Sequence, residues 1–214
     1  YSIGELADWL SADWQDQDDK RAWFLNRVPK YGNDNDEVDA MAARVVEHYC
    51  GVIAQHRNFR GGAFWPGIFS VGFHISMGAF TGATPDGRYA GDVLGNGITP
   101  TTGNAVSGPT AIMNSVVKLP LADIYNGANL NMRFQGKKIK NAHLAVLIRT
   151  YFENGGMQVQ FNMVDSDVLR EAQACPEKYR DLFVRVSGYS AEFTGLSEIA
   201  QNEIISRTEF ELAK

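Results

Sequence analysis

From Gly82 to Thr110 the chain reads GATPDGRYAGDVLGNGITPTTGNAVSGPT, with seven glycines, three prolines and no hydrophobic period. That density of breakers excludes a continuous helix or strand. Compact domains keep loops of this length mainly for function, so the core has to come from the segments on either side. The 214 residues, 44% hydrophobic and 21% charged, suffice for one large domain or two small ones.

Apolar spacing before the loop predicts helix, turn, helix over 5–28, through Leu6, Trp9, Leu10, Trp14, Trp23, Phe24 and Val28, with these aromatics in the core. Asn35 or Asp36 is placed to cap a helix running to about His56, with Met41, Val45, Val46 and Tyr49 as its apolar face. The stretch 61–78 reads as one or two buried strands broken near Pro66, with Ser70, Gly72, His74 and Ser76 on one face and Phe69, Val71, Phe73 and Ile75 on the other.

After the loop, short helices are predicted over 110–118 and 142–152, the second stopped by Gly155-Gly156. MQVQFNMV (157–164) alternates as a strand, with Met157, Val159, Phe161 and Met163 opposite Gln158, Gln160 and Asn162. Ser166 or Asp167 caps a helix over 168–174, a turn follows Pro176, FVRV (183–186) is a short strand, and 197–212 is a closing helix. Mixed helices, strands and glycine loops define an α/β or α+β chain.

The net charge of −5, with basic residues scattered, argues against nucleic acid or an anionic membrane as partner. No membrane span and no signal peptide is readable. Cys50 and Cys175 belong to no CxxC or Cys/His cluster, which fits a reducing cytoplasm and two structural thiols. The four histidines suggest no shared metal, and the nucleotide, P-loop, nucleophile-elbow and zinc-protease motifs are missing.

One glycine remains. Arg185-Val186-Ser187-Gly188-Tyr189 follows a short strand and precedes the stretch holding QNEIISRTE. By itself Gly188 is a turn glycine. Its surroundings say more: RVSGY resembles the fingerprint of the glycyl radical enzymes, the pyruvate formate-lyase-like family. VPKYGNDNDEVD, GATPDGRYAG, SGPTA, NGANLNMRF, GGMQVQFNMVD and PEKYRDLFVRVSGY resemble the family's landmarks in the family's order. VQFN before the glycine and SRTE after it resemble the dehydratase, lyase and decarboxylase branches more than pyruvate formate-lyase itself.

The resemblance implies a ten-stranded α/β barrel wrapped by helices, with residues 1–150 from the C-terminal part of the barrel body and 151–214 forming the glycyl radical domain. It implies that Gly188 stores a backbone radical, installed after translation by a radical S-adenosylmethionine activating enzyme that recognises Arg185, Val186, Ser187 and Tyr189, with no bound cofactor or metal. Glycine suits this role because a side chain would twist the conjugated peptide unit and block approach to the Cα hydrogen. A cysteine in a Gly-Cys loop of the remaining barrel would receive the radical and pass it to a small-molecule substrate, for dehydration, C–X or C–C cleavage or decarboxylation. The complete enzyme is implied to be a cytoplasmic, oxygen-sensitive homodimer.

Neither Cys50 in EHYCGVI nor Cys175 in QACPEK has the Gly-Cys context. The chain opens on Tyr1, which fits a segment of a longer enzyme; a radical-bearing spare-part subunit and a degenerate relic on a binding module stay open as alternatives. His74 is a candidate wall residue of the substrate cavity, as an acid/base or as a satisfied core histidine.

Overall fold

A computed structural model describes residues 1–134 and 140–207, and the backbone of 209–210. Ser2 and Glu5 form a reciprocal capping box at the start of α1 (Ile3–Ser11), and α2 (Asp18–Arg27) returns after an acidic turn. The aromatics of this hairpin cluster together but are not a core: Trp14 is buried, Trp9 and Phe24 are half-buried and Trp23 is exposed.

Asn35 caps α3 (Asp36–Ala54) by accepting from the Val38 amide at 3.2 Å. The face that α3 buries is rotated from the expected one. Asp39 and Cys50 are buried and Ala43 and Val46 pack on the core, whereas Met41, Val45 and Tyr49 are exposed. The buried Asp39 carboxylate turns the helix, because it takes bonds from Ser115 Oγ and Lys118 Nζ, both at 3.0 Å.

The strand reading of 61–78 is corrected. Ile68 makes one parallel bridge, to Ala128; Val71 (φ 52°) and Gly72 (φ 113°) then break extended backbone, and Phe73–Ala79 is a helix, α4. Phe69 and Phe73 are exposed, so no apolar layer covers a strand face here. Ser70 and His74 do share a face, but through a spacing of four at the start of a helix instead of a period of two.

Pro109 opens α5 (Pro109–Val117), Gly155 ends α6 (Asn141–Glu153), and α7 spans Ser166–Ala174, with Asp165 at the N-cap position, one or two positions before the expected Ser166 or Asp167, and making no side-chain capping bond. β1 (Asn131–Phe134) lies between β2 (Gln160–Asn162) and β5 (Glu209–Phe210), parallel to both, with Asn131 opposite Gln160. β3 (Phe183–Arg185) and β4 (Ser190–Glu192) form an antiparallel hairpin. The closing helix α8 is shorter than expected, Glu198–Ser206; Arg207 is extended and β5 follows, while Leu212 lies outside the described residues.

β2 is covered on both faces, since Phe161, with Val159 before it, packs on the larger hydrophobic cluster. Gln160 and Asn162 are buried, while Met157 and Met163 are more than a third exposed. The polar face points inward because it has partners there. One hydrophobic cluster gathers residues between Cys50 and Tyr151 around β1 and α5, and a second gathers Leu169, Ala172, Val184, Val186, Phe193 and Ile204 under the hairpin.

Candidate functional site

In the hairpin Arg185 sits opposite Ser190, and the Val186 amide donates to the Tyr189 carbonyl at 2.9 Å, which leaves Ser187 and Gly188 as a two-residue turn. Gly188 has φ 85° while Ser187 keeps the negative φ of ordinary residues, the sign pattern of a type II turn. Turns of that hand splay their strands, so a hairpin of three-residue strands needs bonds from outside to hold it. Gly188 is exposed at the tip, with no atom within 4 Å of the place where a Cβ would stand.

Beneath the tip lies a network of buried polar side chains. Ser187 Oγ donates to Asn96 Oδ1 at 2.7 Å and accepts from Asn129 Nδ2 at 3.1 Å and the Val71 amide at 3.2 Å, with Ser70 Oγ 3.2 Å away. Ser70 Oγ also reaches Asn96 Oδ1 at 2.8 Å and His74 Nδ1 at 2.9 Å. Gly97 (φ 63°) allows this assembly, since any side chain there would collide with Asn129. The long glycine loop thus packs its backbone tightly against the residues just before β1 and delivers Asn96 beneath the turn.

His74 Nε2 lies 3.5 Å from Glu203 Oε1 on α8, and Glu203 is bound in turn by Arg207, Nη2 to Oε2 at 2.8 Å. Burial pushes the Glu203 carboxyl up, but the His74 ring and the Arg207 guanidinium outweigh it and hold the group below its ordinary value. Arg207 spends its other donors on the turn, with Nη1 on the Arg185 carbonyl at 3.0 Å and Nη2 on the Val186 carbonyl at 2.7 Å.

On the other flank Asn162 grips Arg185 at both ends of its backbone, accepting from the amide and donating to the carbonyl, each at 2.7 Å. Gln160 Oε1 accepts from Arg185 Nη2 at 2.9 Å, from Arg185 Nε at 3.2 Å and from the Gly188 amide at 3.2 Å. The turn is therefore clamped from five places: the residues just before α4, the glycine loop, the residues just before β1, β2 itself and the end of α8.

The structure brings His74 and the five residues of RVSGY into one site. Val186 and Ser187 are buried with their side chains inward, Arg185 is half-buried, and Gly188 and Tyr189 are exposed. Cys50 is buried near the end of α3, where burial and then Asp123 push its thiol up, as for an unreactive cysteine; Cys175 follows α7. Sequence reasoning missed Asn96, Asn129, Gln160, Asn162, Glu203 and Arg207 as site residues. The polar face of VQFN was the available signal for two of them, and the proximity of SRTE to the glycine for Arg207.

Residues 1–78 match the family model described as pyruvate formate lyase-like, and residues 94–194 match the one described as glycine radical. The chain is 42% identical over 200 residues to the probable dehydratase YbiW of Escherichia coli (strain K12), covering 88% of this chain and 25% of that protein. It is 39% identical over 189 residues to the trans-4-hydroxy-L-proline dehydratase of Clostridioides difficile, covering 86% of this chain and 24% of that protein. Among solved structures, the B12-independent glycerol dehydratase from Clostridium butyricum superposes with a TM-score of 0.94 at 43% identity, over 99% of this chain and 27% of that one. The chain belongs to the glycyl radical enzymes. It spans about a quarter of the length of these relatives.

Proposed function

We propose that this chain is the C-terminal, radical-bearing part of a glycyl radical lyase of the dehydratase type, with Gly188 as the carbon that stores the radical. The observation that carries this reading is Gly188 itself: a glycine at positive φ, on an exposed tip with open space around its Cα, in a turn clamped from beneath. In activation a radical S-adenosylmethionine activating enzyme removes one hydrogen atom from Gly188; the Cα–H bond breaks, and the hydrogen goes to a carbon-centred radical that the activating enzyme supplies. In turnover a cysteine of the remaining barrel returns a hydrogen atom to Gly188 and becomes the thiyl that attacks substrate.

Within this reading residues 1–150 complete a ten-stranded barrel and 151–214 form the radical domain; the second hydrophobic cluster falls inside 151–214, while Tyr151, Val159 and Phe161 pack on the first. Tyr189 is the side chain that the activating enzyme meets first, while Arg185, Val186 and Ser187 become readable once Arg207 and Asn96 release the turn. His74 holds the floor of the turn through Ser70 and Glu203 rather than acting on substrate. The substrate is a small hydroxylated molecule that loses water, by analogy with the dehydratases among the relatives. The enzyme works anaerobically in the cytoplasm as a homodimer.

The test is anaerobic activation of the full-length enzyme that contains this chain. A doublet in the EPR spectrum that collapses with 2-deuterated glycine, followed by cleavage at Gly188 on exposure to air and release of a piece beginning near Tyr189, is expected. An EPR-silent enzyme, or an intact chain after oxygenation of a radical-bearing sample, rejects the assignment.

A further inference from the structure

We propose that Gln160 and Arg185 are positioning residues that act on the two sides of the Gly188 carbon as an electronic pair, one increasing donation from its nitrogen and the other increasing withdrawal by its carbonyl. The inference rests on the reading of Gly188 as the radical carbon. An unpaired electron at a peptide Cα spreads in two directions, accepting density from the residue's own amide nitrogen and giving it to the residue's own carbonyl. A hydrogen bond donated by the N–H enriches the nitrogen. One received by the carbonyl oxygen, above all from a cation, lowers its accepting orbital.

Both bonds are present. The Gly188 amide donates to Gln160 Oε1 at 3.2 Å, and Arg185 Nη2 donates to the Gly188 carbonyl at 3.4 Å and to Gln160 Oε1 at 2.9 Å. Gln160 is buried, and its amide orientation is set from behind, since its Nε2 donates to Asn131 Oδ1 while Asn131 Nδ2 donates to Thr99 Oγ1. Its oxygen therefore faces the turn. The guanidinium of Arg185 lies alongside that oxygen, so one charge polarises the acceptor of the N–H and also binds the carbonyl.

The geometry depends on the buried polar face of β2. An apolar residue at Gln160 would leave the Gly188 amide and two arms of Arg185 without this acceptor, although Asn162 and Arg207 would still hold the backbone of the turn. Electronic tuning and mere positioning are thereby separable.

The full-length enzyme is activated anaerobically as wild type, Gln160→Leu and Gln160→Glu, with 15N-glycine incorporated, and EPR is recorded in H2O and D2O. Gln160→Leu is expected to widen the Cα-hydrogen doublet, reduce the 15N coupling, and leave roughly five-fold fewer spins per chain, the ratio that one hydrogen bond of ordinary net strength supplies. Gln160→Glu, an anionic acceptor beside the same guanidinium, is expected to keep the radical and shift both couplings the opposite way. A shift of the couplings to the same side in both variants, or couplings equal to wild type whatever the spin yield, overturns the electronic role. A silent wild type instead removes the assignment of Gly188 itself.

Discussion

Gly188 combines an unusual backbone angle with an absence of steric reason for it, since the space beside its Cα is open. Gly188→Ala therefore meets no clash and costs only the left-handed conformation, about 1–2 kcal/mol. The variant is expected to fold with a melting temperature lower by only a few degrees and to show no glycyl EPR signal after activation; a persistent doublet would place the radical elsewhere. Glu203 sets a second expectation at this scale. Its folded pKa lies below its ordinary value, so the stability it contributes is present above the ordinary carboxyl range and is lost as the pH falls through the depressed value. Arg207 loses its partner as Glu203 protonates, and the hydrogen exchange of residues 185–190, taken relative to the intrinsic rate at each pH, should accelerate in that acid range. Glu203→Gln should show the acceleration already at neutral pH and a flatter acid response. Equal exchange profiles in the two proteins would detach Glu203 from the turn.

Among the elements, β1 is tied through Arg133 to α8, to the residues after β2 and to α7. This buried side chain donates to the Ile204 and Ile205 carbonyls at the end of α8, at 3.2 and 2.9 Å, to the Val164 carbonyl past β2 at 3.2 Å, and to Ser166 Oγ at the start of α7 at 2.7 Å. A cation at the end of a helix also opposes the negative pole of its dipole. Arg133→Met keeps apolar bulk but leaves carbonyls without donors, a change worth about 3 kcal/mol or more. The prediction is a clear fall in melting temperature with loss of protection in α8, and partial recovery in Arg133→Lys. An unchanged melting temperature would show that the carbonyls find other partners.

For the whole molecule the decisive feature is the apolar surface that the chain leaves in water. Phe59, Trp65, Phe73 and Phe80 are each at least 66% exposed, all on or beside the segment that the sequence suggested was a buried strand. Val159 and Phe161, by contrast, pack against the larger cluster. Exposed aromatics in this number drive association. The purified 214-residue chain is expected to sediment as aggregates or oligomers and to turn over no substrate by itself, and to gain activity only with the rest of the enzyme. A stable monomer in velocity sedimentation, or dehydration of a diol by the activated chain alone, would contradict this.

Local signals in the sequence determined the elements whose ends are set by adjacent residues. Asn35 starts α3, Pro109 starts α5, Gly155 stops α6 and Gly188 turns the hairpin, each through a bond or an angle within a few residues. The glycine at the tip was legible because its motif is contiguous. Its clamp was not, because Ser70, Asn96, Asn129, Gln160 and Arg207 reach it from across the chain. The same distance explains the misread strand at 61–78 and the burial of β2's polar face. Hydrophobic alternation assigns the apolar side to the interior, and Phe161 follows it, but here the polar side is buried as well because it has partners to satisfy. Only the tertiary structure brings those partners together, and leaving them unpaired would cost more than exposing two methionines.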